Sequence, residues 1–332
     1  MTTSIMAREA NEAPDVIRNQ LLKNTSLCEG LGARIRQLNP KLVYIIGRGS
    51  SDHAGVYAKY LIEVELGIPV TASAPSVTSV YGKNLDLAGV LVLVISQSGR
   101  SPDILMQTQI AKDSGALCVA LVNDQTSPLA GIVDAVLPLR AGEEKAVAAT
   151  KSYLATLSAI IQLAAHWKQD QVLLTALSSL PDNLTQATKS STQLSAEFIQ
   201  PLNHCVILGR GFGYAISREI ALKLKEVCGV HAEAFSSAEF LHGPVTLVEK
   251  KLAIVDISVQ DESLQTHTQQ IEEMRRRGAI LSHLRQTSND IHPRLAPLTI
   301  LQRFYLDVEQ IAILMGKDPD NPAGLKKVTK TV

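Results

Sequence analysis

Tyr44-Ile-Ile-Gly-Arg-Gly49 and Val206-Ile-Leu-Gly-Arg-Gly211 write the same short pattern twice, an apolar run entering a Gly-x-Gly turn. In each copy a helix-like stretch follows and ends at a glycine, Gly67-Ile68 in the first and Gly229-Val230 in the second. The spacing is the same in both copies, since 209 − 47 and 229 − 67 both give 162. A strand, a glycine turn and a helix repeated at constant offset predict two homologous α/β halves rather than one large sheet. Positions at which the copies differ are then the places to look for function.

The remaining chain fits that division. A length of 332 residues suits about two domains of roughly 100–200 residues each. Short apolar runs at 42–46, 90–95, 116–122 and 135–139 read as strands buried on both faces, with helical segments between them, the signature of a parallel sheet. A second set follows at 204–208, 252–257 and 279–284. Residues 7–36 read as a leading amphipathic helix or helix pair, 176–200 as a polar helical connection, and 301–316 as a closing helix. The expected division is 1–175, holding the leading helix and first α/β domain, 176–316 for the second, and a tail of 317–332 that closes over the active site.

Composition narrows the partners. With 32 basic and 32 acidic residues the formal charge is zero, so no net field draws the chain to nucleic acid or to an anionic membrane. A small-molecule ligand or a protein partner is expected. Cys28, Cys118, Cys205 and Cys228 show no C-x-x-C or zinc spacing and read as buried free thiols, and no metal or cofactor motif appears. The longest apolar stretches, such as Val90-Leu-Val-Leu-Val-Ile95, fall far short of the ~20 residues of a membrane helix, and the N-terminus lacks a signal pattern. A soluble cytoplasmic protein is the expectation.

The sharpest local motif is Val94-Ile-Ser-Gln-Ser-Gly-Arg-Ser-Pro-Asp103, between a predicted strand and a predicted helix. Ser101 suits the N-cap and Pro102 the first helical position, so Ser96–Gly99 lies where free N–H groups and the helix dipole favour an anion. Ser96, Ser98 and Ser101 add hydroxyls. The turn Gly47-Arg-Gly-Ser-Ser51 offers a second helix start with the hydroxyls of Ser50 and Ser51. Two such ends converging would hold a phosphoryl group with neutral donors. The glycine spacing fits neither the dinucleotide fingerprint nor a P-loop.

The second copy carries charge instead. On a predicted helix 218–227, Glu219, Lys223 and Glu226 fall at i, i+4 and i+7 on one face. Such a ladder is by default a solvated stripe. Here it precedes the run His231-Ala-Glu-Ala-Phe-Ser-Ser-Ala-Glu-Phe-Leu-His-Gly-Pro244, which sets His231, Glu233, Glu239 and His242 in a segment too rich in ionisable groups for a routine loop.

From about residue 40 onward the chain resembles the sugar isomerase (SIS) superfamily, and more closely the isomerase domain of glucosamine-6-phosphate synthase. The motifs that carry the resemblance are Gly47-Arg-Gly-Ser-Ser51, Ser96-Gln-Ser-Gly-Arg-Ser101, Val147-Ala-Ala-Thr-Lys151, Leu222-Lys-Leu-Lys-Glu226, His231-Ala-Glu-Ala, Glu239-Phe-Leu-His-Gly-Pro244 and Leu325-Lys-Lys-Val. The resemblance implies two tandem SIS domains, each a parallel-sheet α-β-α sandwich of flavodoxin-like type. It assigns Ser51, Ser96, Gln97, Ser98 and Ser101 to a sugar phosphate, Glu226 to proton transfer between C1 and C2, and His242 to ring opening. It further implies a Schiff-base role for Lys327, backbone contacts to the sugar from Val147 and Lys326, a supporting relay of Lys223 and Glu219, and a homodimer in which His242 crosses the interface. Two departures stand out: Arg100 replaces an acidic residue of the phosphate loop, and Ala149 stands where the synthase has serine.

From the start Met1-Thr-Thr-Ser the expectation is a protein that lacks the glutaminase domain and catalytic cysteine of the synthase. The expected reaction is therefore the hydrolytic one, glucosamine 6-phosphate and water to fructose 6-phosphate and ammonia. The Glu226 base would work best if burial raised its pKa, which Lys223 beside it would oppose. Galactosamine-6-phosphate deaminase, fructosamine-6-phosphate deglycase and a plain aldose–ketose isomerase share the phosphate site and the enolisation step. A sugar-phosphate-sensing regulatory protein is the non-enzymatic alternative.

Overall fold

In the computed structural model, which describes residues 3–327, the chain forms two compact units. The first comprises Asp15–Glu144 and Lys151–Ser178. Its sheet contains β1 (Val43–Ile46), β2 (Val70–Ala72), β3 (Leu91–Ser96), β4 (Leu117–Val122) and β5 (Ala135–Pro138), ordered β2-β1-β3-β4-β5. Every pairing is parallel. That order is the flavodoxin-like one, and it places the strand-to-helix turns after β1 and β3 side by side at the carboxyl edge, where strand order reverses. The runs of β3 and β4 are apolar at successive positions because both faces are covered. One face packs Tyr44, Ile46, Val92, Val94, Cys118 and Ala120 over Ile104 and Leu129.

The second unit takes Lys145–Thr150, Ser179–Lys327 and the residues up to Pro14. Its sheet holds β6 (His204–Gly209), β7 (His231–Ser236), β8 (Ala253–Ser258) and β9 (Ile280–Arg285), ordered β7-β6-β8-β9 and again parallel throughout. The chain is thus α/β, with one sheet topology used twice.

The duplication extends to individual dihedrals. Gly49, at φ 55 and ψ −128, precedes the helix Ser50–Leu66, and Gly211, at φ 54 and ψ −126, precedes the helix that begins at Phe212. These angles exclude an ordinary L side chain, which explains the glycine in both copies. The αL caps Gly67 and Gly229 match as closely. The offset of 162 also relates β3 to β8 and the helix Pro102–Asp113 to the start of the helix Leu264–Arg276.

One open sequence expectation is resolved, and two elements depart from theirs. Residues 5–38 form one continuous helix, Ile5–Leu38, despite the internal Pro14. The expected helix 218–227 is the α-helix Phe212–Lys223 continued by a π-helical turn, Leu224–Cys228. The start of the ionisable run 231–244 is not a loop: His231–Ser236 is strand β7, hydrogen-bonded to β6 alone. Alternation explains its composition, since His231 and Glu233 are exposed while Ala232 is buried on this edge strand. Val70–Ala72 is likewise illegible as a strand, being three residues long with two exposed.

Candidate functional site

In the first unit, Ser96 ends β3, and its Oγ accepts a hydrogen bond from the Gly99 N–H at 3.1 Å, which folds residues 96–99 into a tight turn. Gly99 lies at φ 62, and a Cβ there would come within 2.3 Å of Ser127 Oγ. Ser101 occupies the N-cap of helix Pro102–Asp113 as expected, yet its side chain makes no capping hydrogen bond. Ser96 is buried, while Gln97, Ser98 and Ser101 are half-buried, as are Ser50 and Ser51 at the start of the neighbouring helix. The pairing of Ile46 with Val94 brings the ends of β1 and β3 alongside one another, so both turns open on the same edge of the sheet.

In the second copy the same turns are bridged by a carboxylate of the chain itself. There Ser263 matches Ser101 as N-cap, but the loop before it reads Val259-Gln-Asp-Glu262. Asp261 stands at the position of Gly99. Its Oδ2 accepts the Phe212 N–H at 3.3 Å, and its Oδ1 accepts the N–H and hydroxyl of Ser263. The second copy thus carries its own carboxylate between the two helix starts. At the matching point the first copy has Gly99, against which the Ser127 side chain packs.

Arg100, the departure noted in the loop, turns toward Asp124 with Nη2 2.7 Å from Oδ2. Thr126 and Arg100 together hold the Asp124 carboxyl down to about 2.

In the second unit the expected acid–base residues do meet. Lys223 Nζ lies 3.2 Å from Glu219 Oε1 and 2.6 Å from Glu226 Oε2, with Glu219 and Lys223 at 0% and 1% exposure and Glu226 at 22%. This is not the solvated stripe that charge at helical spacing usually forms. Burial disfavours the Lys223 ammonium, but the two carboxylates outweigh it and raise the lysine above its ordinary range. Lys223 is therefore a hydrogen-bond donor and a fixed charge rather than a base. The homologous positions in the first copy are Tyr57, Leu61 and Val64, of which Tyr57 and Leu61 are fully buried. At those two core positions the second copy has ions, and it places Glu226 in the π turn, a local geometry frequent at functional sites.

Lys327 is half-buried and donates from Nζ to the Ala146 carbonyl at 2.7 Å, so it is brought to the Val147 segment. The Val147 N–H itself is engaged by the Asp320 carbonyl at 2.9 Å. Lys326 is exposed. His242 is exposed in the turn that follows the helix Ser237–Phe240, and its N–H donates to the Glu239 carbonyl. Val328, the last residue of the tail motif, and the rest of 328–332 lie outside the described residues.

Comparison with known proteins places the chain. The SIS domain model matches it twice, over residues 38–166 and 198–300. The chain belongs to the SIS family. Among curated SIS relatives, the glutamine--fructose-6-phosphate aminotransferases of Thermus thermophilus and Pseudomonas putida are 30% and 31% identical over 97% of this chain. The chain spans 58% of the length of each of these relatives. Among solved structures, a protein from Silicibacter pomeroyi assigned as a phosphosugar isomerase is 36% identical, with TM-score 0.89 and coverage of 96% of this chain and 100% of that one. The C-terminal domain of glucosamine-fructose-6-phosphate aminotransferase from Francisella tularensis is 27% identical, with TM-score 0.82 and coverage of 97% and 99%. The SIS halves found here are thus homologous to the isomerase part of the aminotransferases.

The second SIS half also holds a polar network that the sequence did not announce. Asp256, buried on β8, accepts from His267 Nε2 at 2.6 Å and faces His283 Nδ1 at 2.7 Å, and His267 Nδ1 lies 2.9 Å from Ser237 Oγ. Burial opposes the Asp256 carboxylate, but the hydrogen bonds from His267 and His283 outweigh that and hold it at about 2. Residues 237–283 are spread over four elements, so spacing carries no signal. The network fixes Ser237, the first residue of the short helix that leads to Glu239 and His242. Among the described residues no cluster of three or more His, Cys, Asp or Glu is arranged to hold a metal ion, and no helix is long and apolar enough to cross a membrane. The four cysteines are free and buried, with burial pushing each thiol up to about 12.

Proposed function

We propose that this SIS protein acts on a hexosamine 6-phosphate as a glucosamine-6-phosphate deaminase. The observation that carries the reading is the Glu219–Lys223–Glu226 triad, with Glu219 and Lys223 buried and Glu226 partly exposed, standing where the duplicated helix of the first copy has Tyr57, Leu61 and Val64. The family relationship supports sugar-phosphate isomerisation as the underlying chemistry, because aldose–ketose conversion needs one carboxylate to carry a proton between adjacent carbons.

In this reading the loops after β1 and β3 take the phosphate through Ser50, Ser51, Ser96, Gln97, Ser98 and Ser101. His242 assists ring opening, exposing the C1 aldehyde. Glu226 removes the C2 proton, giving an enolamine, and returns it at C1 to leave a ketimine at C2. Water adds to the ketimine carbon, the C–N bond breaks, and ammonia and fructose 6-phosphate are the products. Lys223, held protonated, orients the Glu226 carboxylate and cannot compete for the proton. Lys327 adjoins the ketose through the Val147 segment. His242, exposed on its own chain, would be supplied to a partner's site in a homodimer.

The test is the purified protein with glucosamine 6-phosphate, following ammonia and fructose 6-phosphate together, with galactosamine 6-phosphate in parallel. Equimolar products from the gluco substrate are expected. The Glu226→Gln variant should lose ~10²–10⁴-fold in kcat while still binding fructose 6-phosphate. Turnover that survives this change would refute the assigned base, and a ketose product without ammonia would redirect the reading to an isomerase or deglycase.

A further inference from the structure

The turn after β1 contains an arginine that the neutral-donor picture of the phosphate loops leaves without a role. Arg48 Nε donates to Asp103 Oδ2 at 2.7 Å. The pair is asymmetric: the Asp103 side chain is 0% exposed, whereas that of Arg48 is 44% exposed. Asp103 belongs to the first turn of the helix that starts at Pro102, directly after the Ser96–Ser101 loop. The ion pair therefore ties the β1 turn to the β3 turn at the edge where both helix starts open.

Stability does not account for this arrangement. Burying a carboxylate is expensive, and the expense is recovered only when both oxygens are well satisfied. Here Asp103 Oδ1 is buried with no hydrogen-bond partner. A buried carboxylate at this helix start would also repel a phosphate unless a cation offset it. The guanidinium does so through Nε, and a guanidinium bound through Nε keeps its two Nη groups as a planar fork suited to phosphate oxygens. The second copy has no such pair: Arg210 matches Arg48, but Gln265 stands where the first copy has Asp103, in the copy whose turns already hold the Asp261 carboxylate.

We infer that Arg48 is a phosphate-binding residue of the first SIS half and that Asp103 is its positioning residue, together giving the loop a cationic contact to a phosphate group. The inference rests on the reading of these loops as the phosphate site. Isothermal titration with fructose 6-phosphate, inorganic phosphate and fructose separates the two. Phosphate-dependent binding by the unaltered protein supports the loop reading, and its absence would sink both ideas. Given that binding, Arg48→Gln should weaken fructose 6-phosphate and inorganic phosphate alike by about 10–100-fold and reduce the salt dependence of binding. Arg48→Lys should recover part of the loss, because the charge returns without the fork. Asp103→Asn keeps the charge of Arg48 but loosens its aim, and should weaken fructose 6-phosphate by less than Arg48→Gln does; unchanged affinity in folded Asp103→Asn would remove its positioning role. Affinity and salt dependence unchanged in folded Arg48→Gln would overturn the inference and leave the serine loops as the whole site.

Discussion

Replacing Lys223 by methionine removes the cation between two carboxylates while keeping the apolar stem of the side chain. The lysine is 1% exposed and contacts Glu219 and Glu226 at 3.2 and 2.6 Å, so the change leaves negative charge in the interior. Breaking a buried pair from one side typically costs about 3–5 kcal/mol, and the poor hydration of Glu219 places this site in that range. A chain of two compact units need not unfold in one step, so the measurement is native-state hydrogen exchange on the amides of helix Phe212–Lys223. Lys223→Met should lower their opening free energy by that amount, and Glu219→Gln in the same chain should recover part of it. The pH dependence has a fixed sign. The folded pKa of Lys223 is raised above its ordinary 10.5, so its contribution is complete below about pH 10.5 and is lost only as pH rises through the higher folded value. The parent protein should lose this increment in strong alkali and the methionine variant should not. A difference under about 1 kcal/mol at neutral pH, or no rescue by Glu219→Gln, would refute the claim that the triad acts as one buried electrostatic unit.

Two further outcomes follow from other parts of the fold. Gly49 and Gly211 share dihedrals, but a Cβ would meet nothing within 4 Å at Gly49, whereas at Gly211 it would meet Ser263 Oγ at 2.9 Å and Asp261 Oδ2 at 3.1 Å. Gly211→Ala should therefore be the more destabilising in thermal unfolding, with Gly49→Ala showing the backbone strain of about 1–3 kcal/mol alone; the reverse order would contradict the seating of Asp261 between the two helix starts. Asp256 has its folded pKa depressed from 3.8 to about 2, so its roughly 2–3 kcal/mol of stability is present above about pH 4 and is lost as pH falls toward 2. An acid titration of unfolding should show that loss in the parent and not in Asp256→Asn.

Much of this architecture is legible in the sequence because parallel strands covered on both faces are written as uninterrupted apolar runs, and glycines at unusual dihedrals recur at a fixed offset. The strands at 43–46, 91–96, 117–122, 204–209, 253–258 and 280–285 all lie within one residue of the apolar runs that mark them. The edge strands Val70–Ala72 and His231–Ser236 escape because an edge exposes one side and admits polar residues there. The π turn at Leu224–Cys228 escapes for a different reason: it has the same length and the same glycine cap as its regular counterpart in the first copy, and only the tertiary setting of Glu226 distinguishes them. Spacing could place Glu219, Lys223 and Glu226 on one helix face, but their burial depends on the neighbouring core, which no local pattern records. The Asp256–His267–His283 network, assembled from two strands and a helix, lies further still beyond local reading.

The duplication makes these differences interpretable as chemistry, because each copy serves as the control for the other. Where the second copy supplies its own carboxylate, Asp261, the first has Gly99 and a serine-rich turn, the difference on which the proposed phosphate site rests. Where the first copy buries Tyr57 and Leu61, the second buries Glu219 and Lys223. A fully buried leucine contributes about 1.5–3 kcal/mol through burial alone, so ions at such positions sacrifice stability, which a functional role for them would explain. The two differences are complementary: the second half seats Asp261 where the first has Gly99, and it buries ions where the first buries Tyr57 and Leu61. Under the proposed function each difference has its own explanation: the first half binds a phosphate, and the second carries the carboxylate that moves a proton.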